Sequence, residues 1–520
     1  MAKFEDKSAD VSKLTGGIND YFTPDKIDDD QWAYARNIFG FENSIKSRSG
    51  YQRLTIGSLS GSSRNVAGFG QIQAGVNNYN WAGWNHQFFK LNGSTAGNVS
   101  AVRLKDNYNT SAGTKMLGFD YFPFSGTKNV VVCNGVQTPI RWDGTSAGVV
   151  NLSGSAYATA DSFVNFNRYG LLYDFDALTL YQSNFNDANA GYASNTPVVV
   201  PTRDRGDIGS GFVQFGDDLI VTTRRSLHKF STTGISSAPF TRREITHTVG
   251  NLSHRAILTI DNGVLFVDYT GIYFYDGVNL VRASQPIQGT WASINQEYLI
   301  YAQACNYKVR NWAVFSVPYG ASQTTNNLIL AYDYFNSNPA QGKFVWWMFD
   351  NMTAQAMNIM RNGALVDQWW TGDSSAQLFL QDSGTADNGV AFNQKAWGKA
   401  FDWKKPNRDK RLHECRFNLD SSGNWNLNVY VDIDVQNSPV QVATLSLYAG
   451  GSLWASMVWG SGLWGVIGKL WPRKKFQSTI RGRNIQFRFE ITTINQFFRL
   501  YKYIPSVSEK NIKGRDVYLN

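Results

Sequence analysis

Residues 261–277, with the sequence DNGVLFVDYTGIYFYDG, contain the clearest strand signals in the chain. Two short runs, VLFV and IYFY, are bounded by Asn-Gly, Asp-Gly or a single glycine. Asn-Gly and Asp-Gly favour the left-handed backbone of tight hairpin turns, whereas β-branched and aromatic residues favour strands. The stretch therefore predicts consecutive antiparallel strands joined by hairpins.

The same kind of unit recurs through residues 61–390, for example at 91–93, 130–135 and 141–144. Residues 212–223 are typical of a hairpin, and residues 226–230 supply a third strand. The units recur at roughly 45–60 residues, a spacing that suits the four-stranded blades of a β-propeller. A set of β-sandwiches would give the same local signals, but no disulfide or Trp–Cys framework supports an immunoglobulin-like alternative.

Composition agrees with an all-β protein. The 520 residues are 42% hydrophobic and 14% aromatic, so a large packed core is expected. Charged residues make up only 17% of the chain, and the net charge is +9. A chain of this length predicts about three domains, or one large β domain with additions. We divide it into residues 1–60, 61–390 and 391–520.

The two ends of the chain differ from the repetitive middle. Residues 1–60 form an acidic arm in which Asp28, Asp29 and Asp30 precede QWAYARNI, a segment that predicts a short helix joining the C-terminal domain. Residues 424–434 and 483–490 alternate apolar and polar side chains, as half-buried strands do. The predicted fold is thus all-β, with a propeller body, a C-terminal β-sandwich-like platform domain and an N-terminal arm.

Cysteine usage and hydropathy indicate in which cellular compartment the protein is made and whether it enters a membrane. Cys133, Cys305 and Cys415 are far apart in sequence and form no CxxC motif, which favours buried free thiols in a protein made in a reducing cytoplasm. The polar N-terminus does not resemble a signal peptide. The longest uncharged stretch, residues 435–468, contains six glycines and a proline, so we expect no stable membrane insertion.

No catalytic pattern emerges from the sequence. The five histidines form neither an HxH nor an HExxH pair, so a zinc site is not expected. Residues 144–148, GTSAG, match the letters of a serine-hydrolase elbow, but the flanking residues predict neither the strand nor the helix that this motif requires. We therefore predict a non-enzymatic protein with no catalytic residues, no cofactor and no metal.

One charged stretch stands out near the C-terminus. Residues 451–489 contain no acid and seven basic residues, with aromatic residues between them: Lys469, Arg473, Lys474, Lys475, Arg481, Arg483 and Arg488. Such a stretch can contact nucleic-acid phosphates without reading bases. Alternatively, it is a basic face that meets the acidic surface of another subunit. Asp28, Asp29 and Asp30 are the candidate acidic partners, within or between subunits.

Three stretches of the chain resemble the packaged-DNA stabilisation and tail-nozzle proteins of tailed bacteriophages. The N-terminal stretch contains Gly16-Gly-Ile-Asn19, Pro24, Ala33, Ala35, Asn37 and Ser47-Arg-Ser-Gly50. Residues 371–389 are similar to the passage from the last blade into the C-terminal domain of such proteins. Residues 399–406, KAFDWKKP, are similar to the first strand of that domain.

This resemblance implies a structural virion protein of a phage tail or neck, assembled in the host cytoplasm. Six copies would form a ring below the portal and adaptor, contact other tail proteins and extend the DNA conduit. Genomic DNA would pass without sequence-specific contacts and be retained until ejection. The family has no catalytic residues to transfer. A glycan-binding or glycan-cleaving β-propeller is the alternative, because the many aromatic residues could stack on sugars.

Overall fold

The computed structural model describes residues 6–54, 66–448 and 469–510, apart from short gaps at 75–76, 85–86, 93–98, 106–107, 109–115, 153–158, 205, 236–238, 363, 376 and 477–479. Regular structure in these residues is almost entirely β-strand. The helical turns are short and lie at Gln285–Ile287, Gln288–Trp291, Gln296–Tyr301 and Pro339–Gln341. No helix in the described ranges is long and apolar enough to span a membrane.

Seven four-stranded antiparallel sheets make up the body, and we number them blades 1 to 7. Blade 1 contains β6 (Val66–Ala74), β7 (Asn77–Trp84), β8 (Gln87–Asn92) and β9 (Ser100–Lys105), and blade 2 contains β10 (Gly118–Phe124), β11 (Thr127–Cys133), β12 (Ile140–Trp142) and β13 (Val150–Asn151). Blade 3 contains β14 (Ser162–Phe166), β15 (Tyr169–Asp174), β16 (Thr179–Gln182) and β17 (Val198–Val199). Blade 4 contains β18 (Gly209–Phe215), β19 (Asp218–Thr223), β20 (Leu227–Thr232) and β21 (Phe240–Thr246).

The remaining blades follow the same pattern. Blade 5 contains β22 (Ile257–Ile260), β23 (Gly263–Asp268), β24 (Gly271–Tyr275) and β25 (Leu280–Arg282), and blade 6 contains β26 (Gln303–Tyr307), β27 (Trp312–Val317), β28 (Leu328–Asp333) and β29 (Trp346–Phe349). Blade 7 contains β30 (Ala356–Arg361), β31 (Asp367–Gly372), β32 (Leu378–Leu380) and the N-terminal strand β5 (Gln52–Leu54).

The blades form a closed ring. The first strands of blades 2 to 7 contact one another in chain order, β6 contacts β11 of blade 2, and β30 of blade 7 returns to contact β6. Blade 7 is completed from the other end of the sequence, because β5 pairs with β32. The predicted propeller is therefore confirmed, with an N-terminal strand closing its last blade.

Apolar side chains between the blades supply the core. Separate buried clusters lie between blades 1 and 2, 2 and 3, 3 and 4, 4 and 5, and 7 and 1. Polar side chains on the inner strands add bridges between blades: Asn358 Nδ2 donates to the Phe69 carbonyl at 2.8 Å, and Thr259 Oγ1 donates to the Gln214 carbonyl at 2.7 Å. These contacts satisfy backbone acceptors next to the central channel.

Two further sheets form a β-sandwich from both ends of the chain. The eight-stranded sheet contains β1 (Asp6–Ser8), β3 (Ile38–Phe41), β4 (Ser44–Ser47), β34 (Asp409–Asp420), β37 (Lys469–Leu470), β38 (Arg473–Lys475), β39 (Arg481–Gly482) and β41 (Arg499–Lys510). The five-stranded sheet contains β2 (Tyr34–Arg36), β33 (Gln394–Phe401), β35 (Asn426–Ile433), β36 (Val440–Ser446) and β40 (Ile485–Ile491). Tyr503 packs against Phe487 and Phe489 between the sheets, confirming the predicted sandwich-like domain.

The N-terminal segment joins the sandwich to blade 6. Ile18 N–H donates to the Trp346 carbonyl, and Asn37 N–H donates to the Met348 carbonyl. Gly17 has a left-handed backbone (φ +78°), and a Cβ there would lie 2.9 Å from the Trp346 nitrogen. Only glycine fits such an approach without strain. One buried cluster consequently runs from blades 5 and 6 into the sandwich.

The predicted helix after Asp30 is wrong. Tyr34–Arg36 is strand β2, in register with Lys395–Trp397 of β33, and the Trp32 indole donates to the Leu14 carbonyl at 2.9 Å. An eight-residue segment is too short to be a stable helix by itself. The exposed edge of β33 and burial of Trp32 therefore decide its conformation.

The three cysteines are buried and unpaired, as predicted. Burial raises the pKa of all three thiols, that of Cys305 to about 12. They are therefore protonated at neutral pH and act as small apolar core residues.

Candidate functional site

The basic stretch predicted from the sequence lies along one edge of the eight-stranded sheet. Strands β37, β38 and β39 pair in succession with β34, which places Arg473 opposite Arg416 and Lys475 opposite Glu414. We call the exposed residues Lys469, Trp471, Arg473, Lys475, Arg481 and Arg483 the basic edge. Cationic edge strands are one way in which proteins prevent unwanted strand pairing, so this placement also has a structural role.

Strand alternation determines which side chains of the basic edge face solvent. Lys469, Trp471, Arg473 and Lys475 are exposed at every second position, and the Trp471 side chain is 61% exposed. Lys474 lies between them and is half-buried on the opposite side of the strand. Lys474 is therefore the least accessible of the predicted contacts on these three strands.

Part of the edge charge is neutralised by β34. Arg473 Nε donates to Glu414 Oε2 at 2.6 Å, and Arg416 Nε lies 3.4 Å from Glu414 Oε1. The hydrogen bond from Arg473 lowers the pKa of Glu414, so this carboxylate stays ionised near neutral pH. Lys469 Nζ lies 4.3 Å from the centre of the Tyr501 ring. The backbone N–H of Arg483 donates to Asp434 Oδ1 at 2.7 Å, but the side chains of Lys475 and Arg483 form no ion pair with a carboxylate among the described residues.

Arg488 does not belong to the basic edge, and its predicted contact role is wrong. It lies on β40 in the five-stranded sheet and is only 3% exposed. Its guanidinium pairs with the buried Asp432 carboxylate and stacks on the Trp397 ring, 4.0 Å from the ring centre. The outer face of β40 is covered rather than solvated, so Arg488 is a structural residue.

The acidic triplet contacts other parts of the same chain. Lys343 Nζ, next to blade 6, donates to Asp30 Oδ2 at 3.0 Å, and Lys399 Nζ on β33 donates to Asp29 Oδ1 at 2.9 Å. Asp28 is exposed. Within the subunit, Asp29 and Asp30 therefore pair with lysines outside the basic edge. Pairing of the triplet with Arg473–Lys475 and Arg481–Arg483 of a neighbouring subunit stays a prediction.

Sequence reasoning missed the β34 side of this surface. Arg416 adds a cation to the basic edge, whereas Glu414 removes charge from it. The alternating pattern within residues 411–420 was the available signal, but it does not reveal which strand lies beside it. The edge therefore presents fewer uncompensated cations than its sequence suggests.

Comparison with known proteins gives no family. No family model matches the chain, and no curated protein shows significant similarity to it. Among solved structures, the computationally designed Ika8 protein aligns with 64% of this chain and 99% of its own length, at 9% identity and a TM-score of 0.34. A chain of the Mitotic Checkpoint Complex aligns over 64% of this chain and 95% of its own, at 10% identity and a TM-score of 0.40. Similarity this low carries no argument about function.

Proposed function

We propose that the protein is a structural, non-enzymatic component of a phage tail or neck, which assembles into a ring around the DNA path. The single observation that supports DNA contact is the basic edge, where the exposed side chains of Lys475 and Arg483 form no ion pair with a carboxylate in the described ranges. The N-terminal and C-terminal resemblance to tail-nozzle proteins supplies the virion role, the six-copy ring and the portal and adaptor partners.

The dimensions of the propeller argue for a conduit between copies rather than through one copy. At one end of the inner strands lies an open cavity of about 430 Å³, lined by residues of blades 1, 2, 6 and 7. Arg255, which precedes β22 of blade 5, reaches across the ring to blade 2, where its guanidinium lies 4.3 Å from the centre of the Phe119 ring. A duplex cannot pass through such a space, so a DNA path would have to be lined by several subunits.

Weak, salt-sensitive DNA binding is the first expected result. A conduit must let DNA slide, so contacts should be made to phosphates only, without sequence preference. Fluorescence anisotropy with unrelated duplexes should give the same weak affinity for each, lost between about 50 and 200 mM salt. The double variant Lys475→Gln/Arg483→Gln should reduce the slope of log affinity against log salt by about 2, since each phosphate contact contributes about 0.9.

A matched control removes two cations elsewhere. Arg242 and Arg243 are exposed on β21, the outer strand of blade 4. The variant Arg242→Gln/Arg243→Gln has the same net charge as the test variant and should keep the wild-type salt slope. If the salt slope falls equally in both variants, binding depends on overall charge and not on the basic edge. Sequence-selective or salt-resistant binding would contradict the proposed conduit.

A further inference from the structure

The cavity at the mouth of the central channel is independent of the basic edge. Its walls come from β6, β10, β26 and β30, the inner strands of blades 1, 2, 6 and 7, and from the ends of their partner strands. Small-molecule sites in proteins are commonly preformed concave cavities of this size, with a few fixed polar groups.

Amide side chains hold the cavity walls in place. Gln71 Nε2 donates to the Arg361 carbonyl at 2.7 Å, and Arg361 N–H donates to Gln71 Oε1 at 2.9 Å. Asn306 Nδ2 donates to the Thr259 carbonyl at 3.1 Å. These bonds link blades 7 and 1 and blades 5 and 6, so the cavity walls are cross-linked without a ligand.

Cations outnumber acids in the lining. The lining contains three cations, Lys128, Lys308 and Arg361, and one acid, Asp367, so its formal net charge is +2. Arg361 Nε donates to Asp367 Oδ1 at 2.9 Å. Lys308 Nζ lies 3.7 Å from Asp261, but both side chains are well exposed, so that pair is weak. Lys128 Nζ lies 4.6 Å from the centre of the Tyr121 ring. Burial raises the pKa of the Asp120 carboxyl to about 6, and the charge of Lys128 partly opposes this rise.

A fourth cation lies next to this lining. Arg255 stacks on Phe119, one of the cavity residues, and pairs with no carboxylate in the described part of the chain. Burial lowers the pKa of Arg255 to about 10. The oxygens of Asp120, which follows Phe119 in the sequence, accept the backbone N–H groups of Tyr121 and Asn165. A largely buried cation without an acidic partner is costly, and a bound anion would relieve this cost.

We propose that this cavity binds a small multivalent anion, such as a phosphorylated or polycarboxylated small molecule. Lys128, Lys308 and Arg361 would contact its charged groups at the mouth, and Arg255 would contribute positive potential from below. Both aromatic rings in the lining are already covered by cations, so stacking on a neutral sugar is disfavoured. The site does not depend on the proposed tail function.

Isothermal titration calorimetry on the full-length protein tests this proposal, with pyrophosphate and citrate as probes at constant ionic strength. We expect saturable 1:1 binding of at least one probe below about 1 mM. Stronger binding of pyrophosphate would identify a phosphorylated ligand, and stronger binding of citrate a carboxylated one. The variant Lys128→Gln/Lys308→Gln should weaken binding at least tenfold.

A matched variant, Lys13→Gln/Lys404→Gln, removes two exposed lysines that belong neither to the cavity lining nor to the basic edge, and it should bind within twofold of wild type. Absence of binding by both anions would overturn the proposal. Equal weakening by the two double variants would also overturn it, because the effect would then come from net charge. Binding of glucose at the affinity of the anions would assign the cavity to neutral saccharides instead.

Discussion

Replacement of Asp387 by alanine is expected to lower the free energy of unfolding by about 3–5 kcal/mol. Arg48 and Asp387 form a two-pronged ion pair at 2.7 and 2.6 Å, and their side chains are only 4% and 0% exposed. Arg48 also donates to the Asn37 side chain and to the Asp350 carbonyl. Without Asp387, a buried guanidinium would lose its counter-ion at the junction of blade 6, blade 7 and the sandwich.

Urea unfolding followed by tryptophan fluorescence measures this effect. The pair Arg203–Glu244 supplies the control: its two side chains are 66% and 32% exposed, so Glu244→Gln should change stability by less than about 1 kcal/mol. The double variant Arg48→Met/Asp387→Leu should lose less stability than the sum of the two single variants, since it leaves no unpaired buried charge. Full additivity would show that the two side chains do not act as a pair.

Replacement of Trp347 by alanine is the second large effect, with an expected loss of about 3–5 kcal/mol. Trp347 on β29 is fully buried, and its indole Nε1 lies 3.4 Å from Asp333 Oδ2. A Cβ at Gly40 of β3 would lie 2.8 Å from the Trp347 ring, so the indole packs directly against the N-terminal segment. Its removal would leave a cavity between blade 6 and the sandwich.

Urea unfolding of the Trp471→Ala variant provides the control for Trp347→Ala. That indole is 61% exposed on the basic edge, so its loss should change stability by no more than about 0.5 kcal/mol. If Trp347→Ala is equally harmless, the contact between blade 6 and the N-terminal segment contributes little to the stability of the fold.

Strands with a local signal were predictable from the sequence. Residues 261–277 contain β23 and β24 where the turn residues and apolar runs predict them. The blade-closing strand β5 was not predictable, because it is three residues long and pairs with a strand more than 300 residues away. These three residues form a strand because the ring closes there, and their own sequence carries no apolar-polar pattern that would predict it. The short N-terminal strand β2 was missed for a similar reason.

In the candidate site, too, the part with a local sequence signal was predictable and the part that depends on distant strands was not. The basic edge follows from a contiguous run of basic residues, which the sequence displays directly. Glu414 neutralises part of this edge from a position 59 residues earlier, and Arg488 is covered by Trp397 from another strand. Such cross-strand partners depend on sheet order and register, which alternation alone does not specify. The channel cavity, assembled from four blades, left no local signal.

Electron cryo-microscopy of the purified full-length protein and of virions from its host tests the proposed function most directly. We expect a closed ring, with six copies as the family resemblance implies, located at the tail or neck and with the basic edge of each copy facing the lumen or a neighbouring subunit. Single compact copies in the purified sample, together with virions that lack the protein, would contradict the proposed function.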